Sequence, residues 1–446
     1  MKNFSLVQIL KFVLLAACVL TALQTVEAQK KMDGIERDRM KTILKNIKNE
    51  VKKNYYDPNF HGIDIEERFT QAEARLKEIE TTGQAFAVIA QVLMDFNDSH
   101  LYFLPPATNL SVEYGWRMQM FGDKGFITTV KPGSDADAKG LKIGDRILAV
   151  ENFRPSKKEL WKMLYYYNVL SKRAKLNLTI LSPGEEKPRQ LEVNSDIKQE
   201  MNVITKETLY KLFDTGGAAN IDKHLFIKVG GVSVWKMPTF AFDPRDVDLL
   251  MGKIKGSSSL ILDLRGNGGG YVKTLEKIAG YLFDKDLKIA DLKGRREMEP
   301  QTSKTKGADS FKGKLVVLID AESGSAAEIF ARLVQLEKRG KVLGDVSSGA
   351  VMQSSSFSAT TSNDSVFYGA SVTNADVIMS DGKSLEHVGV TPDELIVATG
   401  EDLAKRRDPV LAKAFETLGN GMTAEQAGGF FQYKWKSDKL MLDFAK

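Results

Sequence analysis

The sequence predicts a mixed α/β protein of more than one domain, and three observations lead there. Residues 30–105 carry charged stretches with apolar residues at helical spacing. Residues 107 to about 195 hold short apolar runs, several rich in β-branched residues, between glycine and proline turns. Residues 200–400 alternate strand-like and helix-like segments, the pattern of a sheet with helices packed on it. A chain of 446 residues has room for two or three such units. The expected boundaries are 1–28, 29–106, 107–198, 199–400 and 401–446.

Segment 1–28 reads as a secretory signal. Lys2 and Lys11 are the only charges before the apolar run from Phe12 to Leu23, and Val26-Glu27-Ala28 supplies a small-residue cleavage site. The protein is therefore expected to be exported, to the periplasm or outside the cell. Leu15-Ala16-Ala17-Cys18 also resembles a bacterial lipoprotein signal, in which Cys18 would become a lipid anchor. Val19 to Leu23 stay mostly apolar, which favours plain cleavage. Cys18 is the only cysteine, so the rest of the chain has neither a disulfide nor a cysteine nucleophile. The 63 basic and 58 acidic residues leave a charge of +5, with no basic block interleaved with aromatics, so no nucleic-acid partner is expected.

In the N-terminal helical segment, Ile35 to Val51, Ile65 to Ile79 and Gln84 to Phe96 read as helices. The last runs into a polar corner, Asn97-Asp98-Ser99-His100, followed by extended apolar residues. There are four histidines, His61, His100, His224 and His387, and no HExxH or His/Cys cluster, so neither metal nor cofactor is expected.

In the second unit, Gly125 to Val130 and Leu176 to Leu181 read as strands, and Lys158 to Leu170 as an amphipathic stretch. Its run Gly140-Leu-Lys-Ile-Gly-Asp-Arg-Ile-Leu148 resembles a PDZ domain. That resemblance implies a β-rich unit that takes an extended peptide, and its C-terminal carboxylate, at a sheet edge. The capturing loop would fall at Gly115, Trp116 and Arg117.

In the third unit, Ser259 to Leu264 is a strand that enters Arg265-Gly-Asn-Gly-Gly-Gly270, and Val272 to Phe283 is a helix. Val272 stands before Lys273-Thr274, where a phosphate-binding P-loop needs glycine. The glycines are instead read as letting backbone N–H groups approach a reacting carbonyl oxygen. Leu315 to Ile319 is a buried strand, Ala321 to Gly324 a sharp turn, and a helix begins at Ser325. Ser325-Ala-Ala-Glu328 fits a capping box, and it also places a hydroxyl at a helix N-terminus. In the tail, Asp408 and Pro409 open a helix whose Val410, Leu411, Ala414, Phe415 and Leu418 share a face.

Asn97-Asp-Ser-His100, the PDZ-like unit, Leu262-Asp-Leu-Arg-Gly-Asn-Gly-Gly-Gly270, Ser325-Ala-Ala-Glu328 and Gly389-Val-Thr-Pro-Asp393 occur in that order. Together they resemble the C-terminal processing peptidases and the related tricorn-core serine peptidases. The resemblance implies a crotonase/ClpP-like αβ core that cleaves polypeptides. In the processing branch a lysine stands 25 residues after the nucleophile, and here that position is Ala350. The tricorn-like Ser-His-Ser-Glu set is matched by Ser99, His100, Ser325 and Glu386. Ser325 would be the nucleophile and His100 the base, with Ser99 and Glu386 orienting the imidazole. Backbone N–H groups of Gly269 and Ala326 would form the oxyanion hole. The alternative is a catalytically idle peptide-binding protein on the same scaffold. Nothing in the sequence sets an oligomeric state.

Overall fold

The computed structural model describes residues 31–106, 110–199, 218–361, 366–431 and 435. The signal-like segment with Cys18 lies outside them. A six-stranded sheet forms the centre. Its strands run, edge to edge, Glu394–Leu395, Lys341–Gly344, Lys314–Ile319, Ser259–Asp263, Val232–Lys236 and Leu225–Val229. All neighbours are parallel except the last pair. The middle strands are apolar runs because both faces are covered. On one face, Leu275, Ile278, Phe330 and Val334 of helices Val272–Leu282 and Ala326–Leu336 pack against Leu260, Leu262 and Val317. On the other, Val410, Leu411 and Phe415 of helix Pro409–Thr417 pack against Ile261, Val316 and Leu318.

Asp408 caps that last helix, accepting from Leu411 N at 2.9 Å. Its carboxylate also receives both arms of the Arg265 guanidinium, at 2.9 and 2.8 Å. The start of the glycine run is thereby tied to the helix behind the sheet.

A second, antiparallel sheet is built on the long strand Phe367–Met379, which pairs with Tyr102–Leu104, Leu287–Gly294 and Met352–Thr360. Helices Gly34–Asn54 and Thr82–Met94 bury Ile43, Ile47, Phe86 and Ile89 in the same core as Tyr368, Ala370 and Val372 of that strand. This packing brings the corner at 97–100 toward the central sheet, although it is distant in sequence.

Residues 116–194 form a third sheet of five antiparallel strands. Among the described residues, Trp116–Phe121 lies at its edge and pairs with Lys124–Val130. Strands Leu110–Glu113 and Asp196–Gln199 pair as a stem where this unit leaves and rejoins the chain. The amphipathic stretch forms helix Leu160–Tyr165 and then widens into a π turn, Tyr166–Leu170.

Candidate active site

Ser325 stands where strand Lys314–Ile319 gives way to helix Ala326–Leu336. Its φ of 51° and ψ of −117° are sparsely populated for an L-residue, a conformation that costs about 1–3 kcal/mol. Its surroundings hold it there. Ser325 N–H donates to Ala350 O at 2.9 Å and to Glu328 Oε2 at 3.0 Å. Gly269, with φ 108°, packs so closely that a Cβ on it would lie 2.7 Å from Ser325 Cβ.

Glu328, which in sequence looks like a helix-capping residue, is a buried hub. Besides Ser325 N–H it accepts from Ser347 Oγ at 2.6 Å, Gly349 N at 2.7 Å and Ala350 N at 2.9 Å. Burial pushes its carboxyl up to about 7, against the pull of these donors. It fastens the loop 347–350 to the Ser325 corner. The only local signal for it is the Ser-x-x-Glu spacing.

His100 lies on the corner after helix Thr82–Met94. Its Nδ1 is 2.8 Å from Ser99 Oγ, and that hydroxyl donates to Glu386 Oε2 at 2.8 Å. A hydroxyl has one proton. Having given it to Glu386, Ser99 Oγ accepts from Nδ1–H, which leaves Nε2 of His100 with the free lone pair. Glu386 is held in turn by Ser99 N–H at 2.9 Å and Val351 N–H at 2.8 Å. Burial lowers the His100 pKa, with the Asp98 carboxylate opposing, which favours the neutral imidazole. Burial raises the Glu386 pKa against the hydrogen bonds from Ser99.

Asp98 lies between Asn97 and Ser99 on the same corner. It accepts His100 N–H at 2.9 Å, Thr373 Oγ1 at 2.7 Å and Tyr55 OH at 3.0 Å. The corner is thus anchored to the first helix and to the long strand.

Ser99, His100, Gly268, Gly269, Ser325, Trp116 and Arg117 line one cleft of about 890 Å³. The described hydrogen bonds do not join Ser325 to His100. Gly115 is not in the cleft lining: its φ is 76° and its carbonyl accepts Lys131 N–H at 2.8 Å. Trp116 is buried, with an indole N–H that has no partner among the described residues, and Arg117 lies 5.0 Å from the Trp435 ring.

At the expected oxyanion hole the two backbone N–H groups differ. Gly269 N–H is already donated to Asn267 Oδ1 at 2.9 Å, and Asn267 is itself fixed through Nδ2 to Met237 O at 2.9 Å. Among the described residues, Ala326 N–H and Gly268 N–H carry no hydrogen bond. Also among the described residues, no group of three or more His, Cys, Asp or Glu could hold a metal ion.

Residues 231–396 match the family model of Peptidase family S41. This segment is an S41 peptidase domain. It holds Ser325, Glu328 and Glu386, while Ser99 and His100 reach the S41 domain from the helical layer. The tail-specific protease of Haemophilus influenzae is 28% identical over 280 residues, covering 58% of this chain and 38% of that protein. The chain therefore spans well under half of that relative's length. The chloroplastic C-terminal processing peptidase of Tetradesmus obliquus is 24% identical over 362 residues, covering 77% of this chain and 74% of that protein. Mature CPAF shares the fold, with a TM-score of 0.61 at 14% identity over 83% of this chain and 95% of its own.

The turn before Ser325 touches the third sheet. Glu322 accepts Gln119 Nε2 at 2.7 Å, while Gln119 Oε1 is buried without a partner. Burial and then the charge of Asp320 push the Glu322 carboxyl up to about 8. A raised carboxyl pKa stabilises the fold fully below the unfolded value of 4.5, and that contribution is lost as pH rises through about 8. Glu322→Gln keeps the neutral shape and removes this titration. Its melting temperature should lose less than that of the wild type between about pH 5 and about pH 9. Parallel melting curves across that range would remove Glu322 as a source of pH dependence.

Proposed function

We propose that this protein is an exported serine endopeptidase that cleaves polypeptides through an acyl-enzyme on Ser325. His100 Nε2 takes the hydroxyl proton, and Ser99 and Glu386 keep the imidazole aimed and compensate its charge once protonated. The observation that carries the reading is the continuous chain from His100 Nδ1 through Ser99 Oγ to Glu386, on a cleft that also contains Ser325. Ala326 N–H, with Gly268 N–H in place of Gly269, receives the oxyanion.

The core is read as crotonase/ClpP-like, between a helical segment at 29–106 and a tail from 401. Residues 107–198 are read as a PDZ-like unit. A peptide, including its C-terminal end, would add as a strand beside Trp116–Phe121, the terminal strand of its sheet among the described residues, which borders the cleft. Export follows from segment 1–28, with Cys18 as the anchor if the chain is processed as a lipoprotein.

A second reading, peptide binding without turnover, is favoured by the absence of a described hydrogen bond between Ser325 and His100. A serine-reactive fluorophosphonate separates the two. The wild type is expected to label and Ser325→Ala is not. Folded wild type that stays unlabelled would leave the binding protein as the answer.

A further inference from the structure

We propose that His387 is a positioning residue, a clamp between the segment carrying Glu386 and the corner carrying His100. The proposal rests on His100 being the base. His387 is not a packing residue: its side chain is 46% exposed, and it borders the cleft. Yet its backbone is held in the left-handed region, at φ 61°, which a non-glycine residue rarely adopts. Two hydrogen bonds fix it there. Its N–H donates to Gly349 O at 2.7 Å. Its ring Nε2 lies 2.7 Å from Asn97 O, so that nitrogen carries a proton and donates. The same nitrogen is 3.6 Å from Glu386 Oε1.

These contacts meet at the seam between the two catalytic halves. Gly349 belongs to the loop that Glu328 fastens to the Ser325 corner. Asn97, itself at φ 50°, begins the turn that presents Ser99 and His100. Asp98 ties the corner to Tyr55 and Thr373, and Ser99 ties it to the Glu386 carboxylate. The imidazole on Asn97 O adds a second tie to the segment that carries Glu386, on the N-terminal side of Ser99. Any rocking of the corner that moved His100 away from Ser325 would have to break the bond from His387 first. Small displacements of a base from its reacting partner are costly in rate.

The test uses the full-length protein, with the fluorophosphonate as probe and the labelling of Ser325 resolved into a maximal rate and a half-saturating concentration. His387→Gly keeps the left-handed backbone without strain and removes the ring. Its maximal rate should fall about tenfold with half-saturation within about twofold, and its melting temperature should not drop. His387→Gln, whose side-chain amide can reach where Nε2 lies, should recover the rate to within about threefold of wild type. The clamp is overturned if His387→Gly labels at the wild-type rate, if only half-saturation changes, or if His387→Gln is no better than glycine. Failure of the catalytic reading itself looks different, because then the wild type does not label and the clamp falls with it.

Discussion

His100→Ala is expected to slow acylation of Ser325 by at least about a hundredfold, the lower end of what a positioned general base contributes. Its Nε2 is the free lone pair left by the Nδ1–Ser99–Glu386 chain, and no other part of that chain can take its place. Ser99 has already given its proton to Glu386, and Glu386 is occupied by three donors. A lysine grafted by Ala350→Lys should not restore the rate. The Ala350 backbone is committed to Glu328 and Ser325, and nothing around it is arranged to hold an amine near the hydroxyl. The measurement is the fluorophosphonate labelling rate of each variant, with melting temperatures to confirm folding. An undiminished rate in His100→Ala would remove the imidazole from the mechanism. Lys341 is exposed on its strand and does not line the cleft, so it would not inherit the role.

Gly269→Val should be the most damaging single change, and in two ways. From sequence alone the variant is expected to fold nearly normally and lose only turnover. The packing says otherwise. A Cβ at 269 would meet Ser325 Cβ at 2.7 Å, Gly324 O at 3.0 Å and Ala326 N at 3.1 Å, and a φ of 108° suits no branched side chain. Ser325 and the free N–H of Ala326 would have to move together. Acylation should fall by more than about a hundredfold. Overpacking and backbone strain should also cost roughly 2–5 kcal/mol of stability, read as a lower melting temperature. Gly268→Ala is the control: nothing lies within 4 Å of its Cβ, and it should melt like the wild type. Near-normal labelling in Gly269→Val would mean that the glycine run does not support the nucleophile.

The parts of the fold that could be read from sequence are those whose environment is uniform. Ser259–Asp263 and Lys314–Ile319 are apolar runs because helices cover both faces, and Asp408-Pro409 announces its helix with cap chemistry that needs no tertiary partner. Strand Met352–Thr360 was not legible. Three of its four serines are exposed, and among the described residues the strand pairs with one neighbour, so no apolar alternation is required of them. Ser325 showed itself as a strand-to-helix corner. The tie from Ser99 to Glu386 spans 287 residues, and only the order of motifs suggested it. The capture of Gly269 N–H by Asn267 and the four-donor pocket around Glu328 were illegible for a simpler reason. Asn in a glycine turn and Glu in a helix's first turn are ordinary residues until their partners are known.

The central sheet also has a bearing on the chain as it is being made. Synthesis delivers His100 first, Ser325 more than two hundred residues later, and Glu386 later still. Even then the sheet that carries the nucleophile has a bare apolar face until Val410, Leu411 and Phe415 arrive to cover it. Since units of this kind fold cooperatively, a partly made chain holds the pieces of a hydrolase without the geometry of one. A ribosome assembling this protein would have nothing to fear from it until almost the last turn of helix was in place.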